Sequence, residues 1–584
     1  MAGDSVEQIK EKSCFLRGTI GGVLCSDATH FNEEDYQLLK FHGTYQQDDR
    51  DLRTERKKAG LDKAWIFMIR TKLPGGSITA TQYLALDRLT EEVANGTLRI
   101  TTRQGIQFHG VLKSKLKECI ARINKSGVAT WGACGDVVRN TMGPASPLHT
   151  PQHQDAQKLA KEMSNTFLAR SHAYTEIWLN GEKLDLGKSF HEEEELVYGK
   201  YYLPRKFKIG IAIPPQNDVD IYTQDIGFIT HAPQGEVEGY TMLVGGGFGM
   251  THGLIKTYPV LAKPLFYVKR EHAVAAAIAI VTVQRDYGNR EDRKRARLKY
   301  LIEERGMDWF RTEVQSRLKM PTEAPKPFVF TTVADMLGWH EQGDGRLFCG
   351  IWVSEGRIKD TETVRYRSGF RKIAESFGFP ICLTPNCNIL FCNIEPVQRA
   401  TVDQVLREFG IPLPDGLTEA RKMSHACVAL PTCGLALAES ERVFPSVMDE
   451  IDKILRALKL EKEPILIRMS GCPNGCSRPY NADIAFVGRA PGKYAFFVGG
   501  SMIGDRLVGL ERKVLEMKDI PSVIKFYLEE FVVNRKNKET FTEYWRRTHP
   551  IGPRPIPEQF HLELAERAAR LAGQNQRSIT ETSD

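Results

Sequence analysis

Four cysteines in the C-terminal third have the spacing of a ligand set. They lie in Ser424-His425-Ala426-Cys427-Val428-Ala429-Leu430-Pro431-Thr432-Cys433 and in Ser470-Gly471-Cys472-Pro473-Asn474-Gly475-Cys476. The pattern is C-x5-C, a gap of 38 residues, then C-x3-C. Four converging thiolates hold either a tetrahedral zinc or a cubane iron–sulfur cluster. Zinc favours C-x2-C knuckles, in which one tight turn aims two sulfurs at a small ion. A four-iron cube is wider and suits looser spacings. Gly434, Gly471 and Gly475 let the backbone approach and aim N–H groups at sulfur. Buried free thiols are the third reading of the same four residues.

A second group of residues is cationic. Arg99-Ile100-Thr101-Thr102-Arg103-Gln104-Gly105-Ile106-Gln107-Phe108-His109, read as one strand, puts Arg99, Thr101, Arg103 and Gly105 on a single face. Arg139 follows Gly135-Asp136 in a polar loop. Leu203-Pro204-Arg205-Lys206-Phe207-Lys208 carries three cations in four residues, with Lys206 and Lys208 on one side if extended. Seven basic residues fall between Arg285 and Lys299, where a charged helix face paired with Asp286, Glu291 and Asp292 is the plainer account. Each group alone reads equally as a solvated surface, and local pattern does not choose.

The elements that must position these groups recur along the chain. Trp65–Arg70 reads as a strand, Leu73-Pro74-Gly75-Gly76 as a turn, Thr79–Val93 as a helix with Tyr83, Leu86, Leu89 and Val93 on one side, and Leu98–Val111 as a strand. Residues 347–410 repeat that order: strand Leu347–Val353, turn Glu355-Gly356, helix around Phe370–Phe377, strand Ile381–Ile394. The second strands align without a gap at an offset of 283, Thr101 with Thr384 and Phe108 with Phe391. Asp225–Ile229 with Tyr240–Gly247 likewise resembles Asp483–Val487 with Tyr494–Ser501. These repeats predict an internally duplicated α+β chain, each half a small αβ unit plus a larger one. The boundaries expected are 1–60 (an arm), 61–150, 151–325, 326–415 and 416–584, the last including a tail. Only the second half carries the cysteine motifs. Ile213-Pro214-Pro215-Gln216-Asn217 stands at the matching place in the first.

Composition bounds the rest. At 584 residues, 41 % hydrophobic and 26 % charged, the chain builds several ordinary cores. A net charge of +7 is too mild for a dedicated nucleic-acid binder but suits an anionic ligand or an acidic protein partner. Twelve cysteines are too few for a disulfide scaffold of this length. Met1–Ser5 opens no export signal, and the longest apolar run, Ala273–Val283, is too short for a membrane span and reads as a buried helix. A reducing, cytoplasmic setting without membrane attachment is expected. Cys382, Cys387 and Cys392 alternate on a predicted strand and so do not converge, and Cys14, Cys25, Cys119, Cys134 and Cys349 are isolated. Val244–Gly249 lacks the G-x-G-x-x-G register, so no nicotinamide or flavin site is expected and electrons must come from another protein. The tail from Phe560 has one amphipathic helix around Leu562–Leu571.

Taken together, the two cysteine motifs, Thr101-Thr102-Arg103-Gln104 and Leu203–Lys208 resemble the haem-protein component of assimilatory sulfite reductase, within the sirohaem/[4Fe-4S] sulfite and nitrite reductases. The resemblance runs from about Leu16 to beyond Thr542. It implies a pseudo-twofold body of ferredoxin-like half-domains and two larger αβ sirohaem/4Fe-4S domains, with both cofactors in a central cleft. It implies reduction of sulfite to sulfide by six electrons. It also implies that Cys427, Cys433, Cys472 and Cys476 bind the cube, with Cys476 bridging to the sirohaem iron. Sirohaem has eight carboxylates, and burying such an anion takes many cations and donors. Arg99, Thr101, Arg103, Gln107, His109, Arg205, Arg297 and Asn474 are then its expected contacts. Arg70, Arg139, Lys206 and Lys208 match the family's substrate pocket, where fixed cations stabilise departing oxygen and lysines deliver protons.

Two departures from the family pattern stand out: Gly434 follows Cys433 where proline is expected, and Gly135 replaces a side chain near the haem. Nitrite-reducing relatives tend to have asparagine at the position of Lys208, so Lys208 favours sulfite over nitrite. A zinc-stabilised binding protein without redox chemistry is the reading from another class. The donor implied is ferredoxin or an NADPH-dependent flavoprotein subunit. Leu337–Gly345 resembles the ferredoxin-dependent relatives more closely.

Overall fold

The computed structural model describes residues 4–170, 178–179, 182–183, 195–550 and 555–562. The expected tail helix at Leu562–Leu571 therefore lies, beyond its first residue, outside the described residues. The chain divides into two compact units, Met1–Gly246 with Ala262–Leu417, and Gly247–Leu261 with Thr418–Asp584.

The first unit opens with helix α1 (Val6–Lys12) and strands β1 (Thr44–Asp48), β2 (Trp65–Arg70) and β3 (Ser77–Ile78). Helix α2 (Ala80–Val93) follows, then β4 (Leu98–Ile100), β5 (Ile106–Val111), α3 (Lys113–Lys125) and α4 (Pro151–Thr166). Thr79 and Gln82 form a capping box that starts α2, and its Tyr83, Leu86, Leu89 and Val93 are buried at helical spacing, as expected. Next come β6 (Ile209–Ala212), β7 (Ile226–His231), β8 (Gly239–Val244), β9 (Lys263–Lys269), α5 (Ala273–Tyr287) and α6 (Leu298–Arg305). The unit closes with β10 (Gly338–Glu341), β11 (Leu347–Ile351), β12 (Arg357–Ile358), α7 (Tyr366–Phe377), β13 (Ile381–Leu383) and β14 (Ile389–Ile394). The alanine-rich α5 is buried along most of its length, as its composition demands.

Leu98–Val111 and Ile381–Ile394 are hairpins rather than the single strands expected. Gln104 and Cys387, equivalent at the offset of 283, both adopt the left-handed conformation (φ 56° and 70°) and reverse the chain. The two turns share three bonds. Thr101 N–H donates to Gly105 O and Gln104 N–H to Thr101 O, while Thr384 N–H donates to Asn388 O and Cys387 N–H to Thr384 O. In both, the threonine hydroxyl accepts the N–H four residues on. A tight turn is invisible to an alternation argument because neither Gln104 nor Cys387 is a turn-forming type. The hairpin also changes what lies beside what. Arg103 leaves the strand, and Cys382 and Cys392, on one face in either reading, are brought side by side, packed with Leu390 and Ala145 in a small buried cluster.

The two half-domains exchange strands. The sheet order is β1-β2-β5-β4-β12 in one and β10-β11-β14-β13-β3 in the other. Thus Arg357–Ile358 from the second half edges the first sheet, and Ser77–Ile78 from the first edges the second. Gly76 and Gly356 make the crossings possible. Both have positive φ, and a Cβ there would lie 2.4 Å from Leu383 O and 2.7 Å from Ile100 O respectively. The helices of the halves are locked at Asp87, whose fully buried carboxylate accepts from Arg367 Nε (2.8 Å) and Arg371 Nε (2.5 Å). Removing one partner of a buried pair strands the other charges. Asp87→Asn is therefore expected to cost the first unit about 2–4 kcal/mol, read by chemical denaturation.

The larger domains repeat as well. In the first unit the sheet is β9-β8-β7-β6, with β6 and β7 parallel. In the second it is formed by β15 (His425–Ala426), β16 (Ile467–Ser470), β17 (Ile484–Ala490), β18 (Lys493–Val498) and β19 (Gly509–Glu516), the first three parallel. Asp220 and Arg478, 258 positions apart, are both left-handed (φ 49° and 58°). Gly245 N–H donates to Asp225 O as Gly499 N–H does to Asp483 O. Helices α8 (Phe444–Ala457), α9 (Ile520–Asn534) and α10 (Phe541–Thr548) complete the second unit's core.

Candidate active site

In the first unit one face of a sheet carries a cationic row. Pairing across β2, β5, β4 and β12 sets Arg70, Gln107, Arg99 and Arg357 opposite one another in register. Residues opposed in an antiparallel ladder point to the same face, so three arginines and a glutamine stand side by side. The reverse face packs Ile69, Leu98, Ile100, Ile106 and Phe108 into the core. His109, two residues beyond Gln107, faces Arg357 with 3.3 Å between its Nδ1 and the guanidinium. Burial, then Arg357 and Arg99, hold the His109 ring well below the usual range, so it is neutral. Arg357 escaped the sequence reading because its place depends on the strand exchange. At the equivalent face of the second sheet stand Cys382, Leu390 and Cys392, small or apolar groups with no charge. The duplication kept the fold and only one copy kept the cations.

Arg70 and Arg139 meet at Tyr45, which the sequence reading did not flag. The Gln107 Oε1, with its amide turned towards Arg70, accepts from Nη2 and Nε at 2.5 and 3.0 Å. Arg70 Nη1 donates to Cys134 Sγ (3.0 Å), and its guanidinium lies over the Tyr45 ring (5.8 Å). Arg139 donates to Gly135 O (3.3 Å) and to the Tyr45 hydroxyl (3.5 Å). Tyr45 thus contacts both arginines from β1, inside the stretch expected to be an arm. Gly135 has φ +83°, and a Cβ there would lie 2.8 Å from the Phe41 ring. Phe41 fills the space that a side chain at 135 would need.

Around these lie the other expected cations. Phe207 N–H donates to Val137 O and Arg139 N–H to Phe207 O, so 206–208 is extended; Phe207 is buried, and Lys206 and Lys208 turn the other way. Arg103 donates to Gln224 Oε1 (2.9 Å), Asn140 O and Ile209 O, while its Nε is buried with no hydrogen-bond partner among the described residues. The Thr101 hydroxyl is used inside its own turn, accepting from the N–H groups of Arg103 and Gly105. Arg297 is held by Asp225 through bonds of 2.9 Å to both carboxylate oxygens. The run Gly288–Arg297 is irregular, not a helix face, and its four arginines enter ion pairs: Arg290 with Glu7, Arg293 with Asp136, Arg295 with Glu304, and Arg297 with Asp225.

The electrostatics report an excess of positive charge. Burial and Arg139 push the Arg103 guanidinium down to about 9. Burial and Arg293 push Arg205 down to about 10. Burial, then Arg297, Lys206 and Arg103, hold the Lys208 ammonium well below the usual lysine range. Cations that depress one another, around a buried donor without an acceptor, fit a polyanionic ligand.

The four cysteines belong to the second unit. Cys427 leaves β15 with its N–H donating to Met469 O, and Cys472 leaves β16 two residues after Ser470. Gly471 lies between the turns. Its N–H donates to Cys427 Sγ (3.2 Å), and a Cβ there would lie 2.4 Å from that of Ala429. Asn474 Nδ2 donates to Cys472 Sγ (3.5 Å), and Gly475, at φ +62°, turns the loop against Tyr480. Nothing lies within 4 Å of a Cβ added at Gly434, so the departure there is neutral. Burial, then Cys476 as the nearest charge, pushes the Cys427, Cys433 and Cys472 thiols each up to about 12. Cys476 itself is exposed. Among the described residues no three Cys, His, Asp or Glu side chains close on a single ion. Each iron of a cube takes one thiolate, so four thiols on two loops joined by the Gly471 N–H to Cys427 Sγ bond, with N–H donors beside Cys427 and Cys472, fit a cluster better than one zinc.

Comparison with known proteins agrees. Residues 62–126 match the family model described as nitrite/sulfite reductase ferredoxin-like half domain, and 134–322 that of the nitrite and sulphite reductase 4Fe-4S domain, here the copy without the four cysteines. The sulfite reductase [NADPH] hemoprotein beta-component of Staphylococcus saprophyticus is 44 % identical over 560 residues, 96 % of this chain and 98 % of the relative. The protein of the same name from Methylobacterium nodulans is 46 % identical over 558 residues, 95 % of this chain and 92 % of the relative. The solved structure of Mycobacterium tuberculosis NirA protein has the same fold, with a TM-score of 0.74 at 21 % identity over 93 % of this chain and 96 % of that one. Among the described residues no helix is long and apolar enough to cross a membrane.

Proposed function

The chain belongs to the nitrite and sulfite reductase family, and on that premise we propose that it is the sirohaem- and [4Fe-4S]-bearing component of an assimilatory sulfite reductase. The observation that carries this reading is that one chain, whose relatives are named as haemoproteins, has both a four-cysteine motif in its second unit and a crowded cationic site in its first. Cys427, Cys433, Cys472 and Cys476 would hold the cluster. Arg99, Arg103, Gln107, Arg205 and Arg297, with Arg357 added, would meet the carboxylates of the macrocycle. The bound cofactors supply an iron for the sulfur of sulfite and a store of electrons; six electrons and accompanying protons take sulfite to sulfide, its three oxygens leaving as water.

The chain's own groups do the rest. Arg70 and Arg139, tied to Gln107, Cys134 and Tyr45, offer fixed guanidiniums for sulfite oxygens. Lys208, its ammonium held below the usual range by burial and like charges, releases a proton more readily than a surface lysine and is poised to protonate departing oxygen. The relatives' NADPH designation supports a separate flavoprotein as donor.

Two measurements test this. Purified holoprotein is expected to be strongly coloured, with iron and acid-labile sulfide, and to reduce sulfite to sulfide with a reduced-viologen donor. A colourless, zinc-containing protein would overturn the enzyme reading, and turnover of nitrite alone would overturn the substrate.

A further inference from the structure

The first helix contributes to the cationic site from outside it. Helix α1 is started by Ser5 and Gln8, whose side chains bond each other's backbone N–H at 3.3 and 2.8 Å. Two of its charged residues reach one short stretch of chain, and a third reaches it through Arg290. Lys10, only 2 % exposed, donates to Leu203 O (3.0 Å), pairs with Glu7 (2.5 Å) and lies 3.8 Å from the Asp136 carboxylate. Glu11 accepts from Lys200 Nζ (2.9 Å) and the Tyr201 hydroxyl (3.1 Å). Glu7 pairs with Arg290, which donates to Tyr202 O (2.7 Å). Arg293, paired with Asp136 (2.7 Å), donates to Pro204 O (3.3 Å).

Three consecutive carbonyls, at 202, 203 and 204, are therefore each held by a different cation: Arg290, Lys10 and Arg293. The next residues are Arg205, Lys206 and Lys208. Asp136, the acid at the node, also takes Leu203 N–H on its own carbonyl and lies three residues before Arg139. One node thus fixes the two stretches that carry Arg139, Lys206 and Lys208. Burying an ammonium among so few acids is costly, and burial indeed lowers the Lys10 pKa. A helix that served only to cover the core would reach the same end with an apolar residue.

We propose that Lys10 is a positioning residue for the anion pocket: through Leu203 and Asp136 it holds the Tyr202–Lys208 segment and the Arg139 loop in the geometry that binds sulfite. The inference rests on the function proposed above for its kinetic arm alone.

The test uses full-length holoenzyme with Lys10→Met. Hydrogen exchange of the 200–208 peptide is expected to speed at least tenfold, and kcat/KM for sulfite to fall about tenfold. Lys113→Met is the control. That lysine is also buried and donates to two backbone carbonyls, of Val23 and Ser26, neither of them in the 200–208 stretch or the Arg139 loop. It is expected to lower thermal stability without changing kcat/KM or exchange at 200–208. Should Lys10→Met not fold, Glu7→Gln loosens the same node through Arg290 and is expected to speed the same exchange and lower kcat/KM about threefold. Exchange at 200–208 equal to wild type in the folded variants, or an equal kinetic loss in Lys113→Met, overturns the proposal. If wild-type holoenzyme shows no sulfite turnover, the proposed function falls while the exchange measurement still decides the role of Lys10.

Discussion

Cys476→Ser is expected to yield a folded protein that has lost sulfite reduction to below about a thousandth of wild type, a loss of roughly 4 kcal/mol in transition-state stabilisation. A serine oxygen is a poor substitute for thiolate towards iron. Of the other three thiols Cys472 is buried and Cys427 and Cys433 are half-buried, and each is hard to ionise, pushed up to about 12 by desolvation and by Cys476. A bound cluster must keep them deprotonated, which couples loading to the complete ligand set. Cys476 is the exposed member, so its removal creates no cavity and should cost little folding stability. The distinguishing control is Cys119→Ser in α3, a fully buried thiol remote from the motifs in sequence. That change should lower stability and leave the colour intact. Visible absorption, acid-labile sulfide and circular dichroism on the same preparations separate the outcomes. A Cys476→Ser protein with full acid-labile sulfide and undiminished turnover would remove Cys476 from the ligand set.

What could be read in the sequence followed from local rules. The α2 helix, the β2 strand and the αβ repeats all rest on periodicity or on like residues recurring in order, and they stand where expected. The cysteine motifs were legible for the same reason, since spacing along a short loop limits where sulfur can point. The misreadings share one physical origin. At Gln104 and Cys387 a single left-handed residue reverses the chain, and neither residue type announces it. That one torsion moved Arg103 off the strand and placed Cys382 beside Cys392. Arg357, Tyr45 and Lys10 were missed because their roles come from pairings between distant stretches: a strand lent across half-domains, an edge strand well before the two arginines it meets, and a helix clamping residue 203. Charge alone could not say that Arg290, Arg293 and Arg297 are tied to Glu7, Asp136 and Asp225. Only the packed arrangement shows that Arg293 and Arg297, though paired, also crowd Arg103, Arg205 and Lys208.

Lys208→Asn should change which anion the enzyme prefers. Lys208 sits on an extended segment whose Phe207 is fixed in the core, so the substitution alters the head group without moving the backbone. Its ammonium is crowded by Arg297, Lys206 and Arg103, with burial as the main cause of its lowered pKa. Removing it relieves repulsion among the remaining cations, and the protein should be no less stable. The cost falls on chemistry. Sulfite must lose three oxygens, each needing charge stabilisation and protons as it departs, whereas nitrite is smaller and has only two oxygens to shed. Removing one positioned cation or acid typically costs about 10²–10³-fold in turnover. We expect sulfite kcat to fall about a hundredfold and nitrite kcat to fall less than about fivefold. Lys208→Arg, which keeps the charge but does not yield its proton, should recover substrate affinity without recovering kcat. Steady-state rates for both anions with one reduced-viologen donor measure the ratio directly. Equal losses for sulfite and nitrite would mean that Lys208 holds the pocket together and does not discriminate between its substrates.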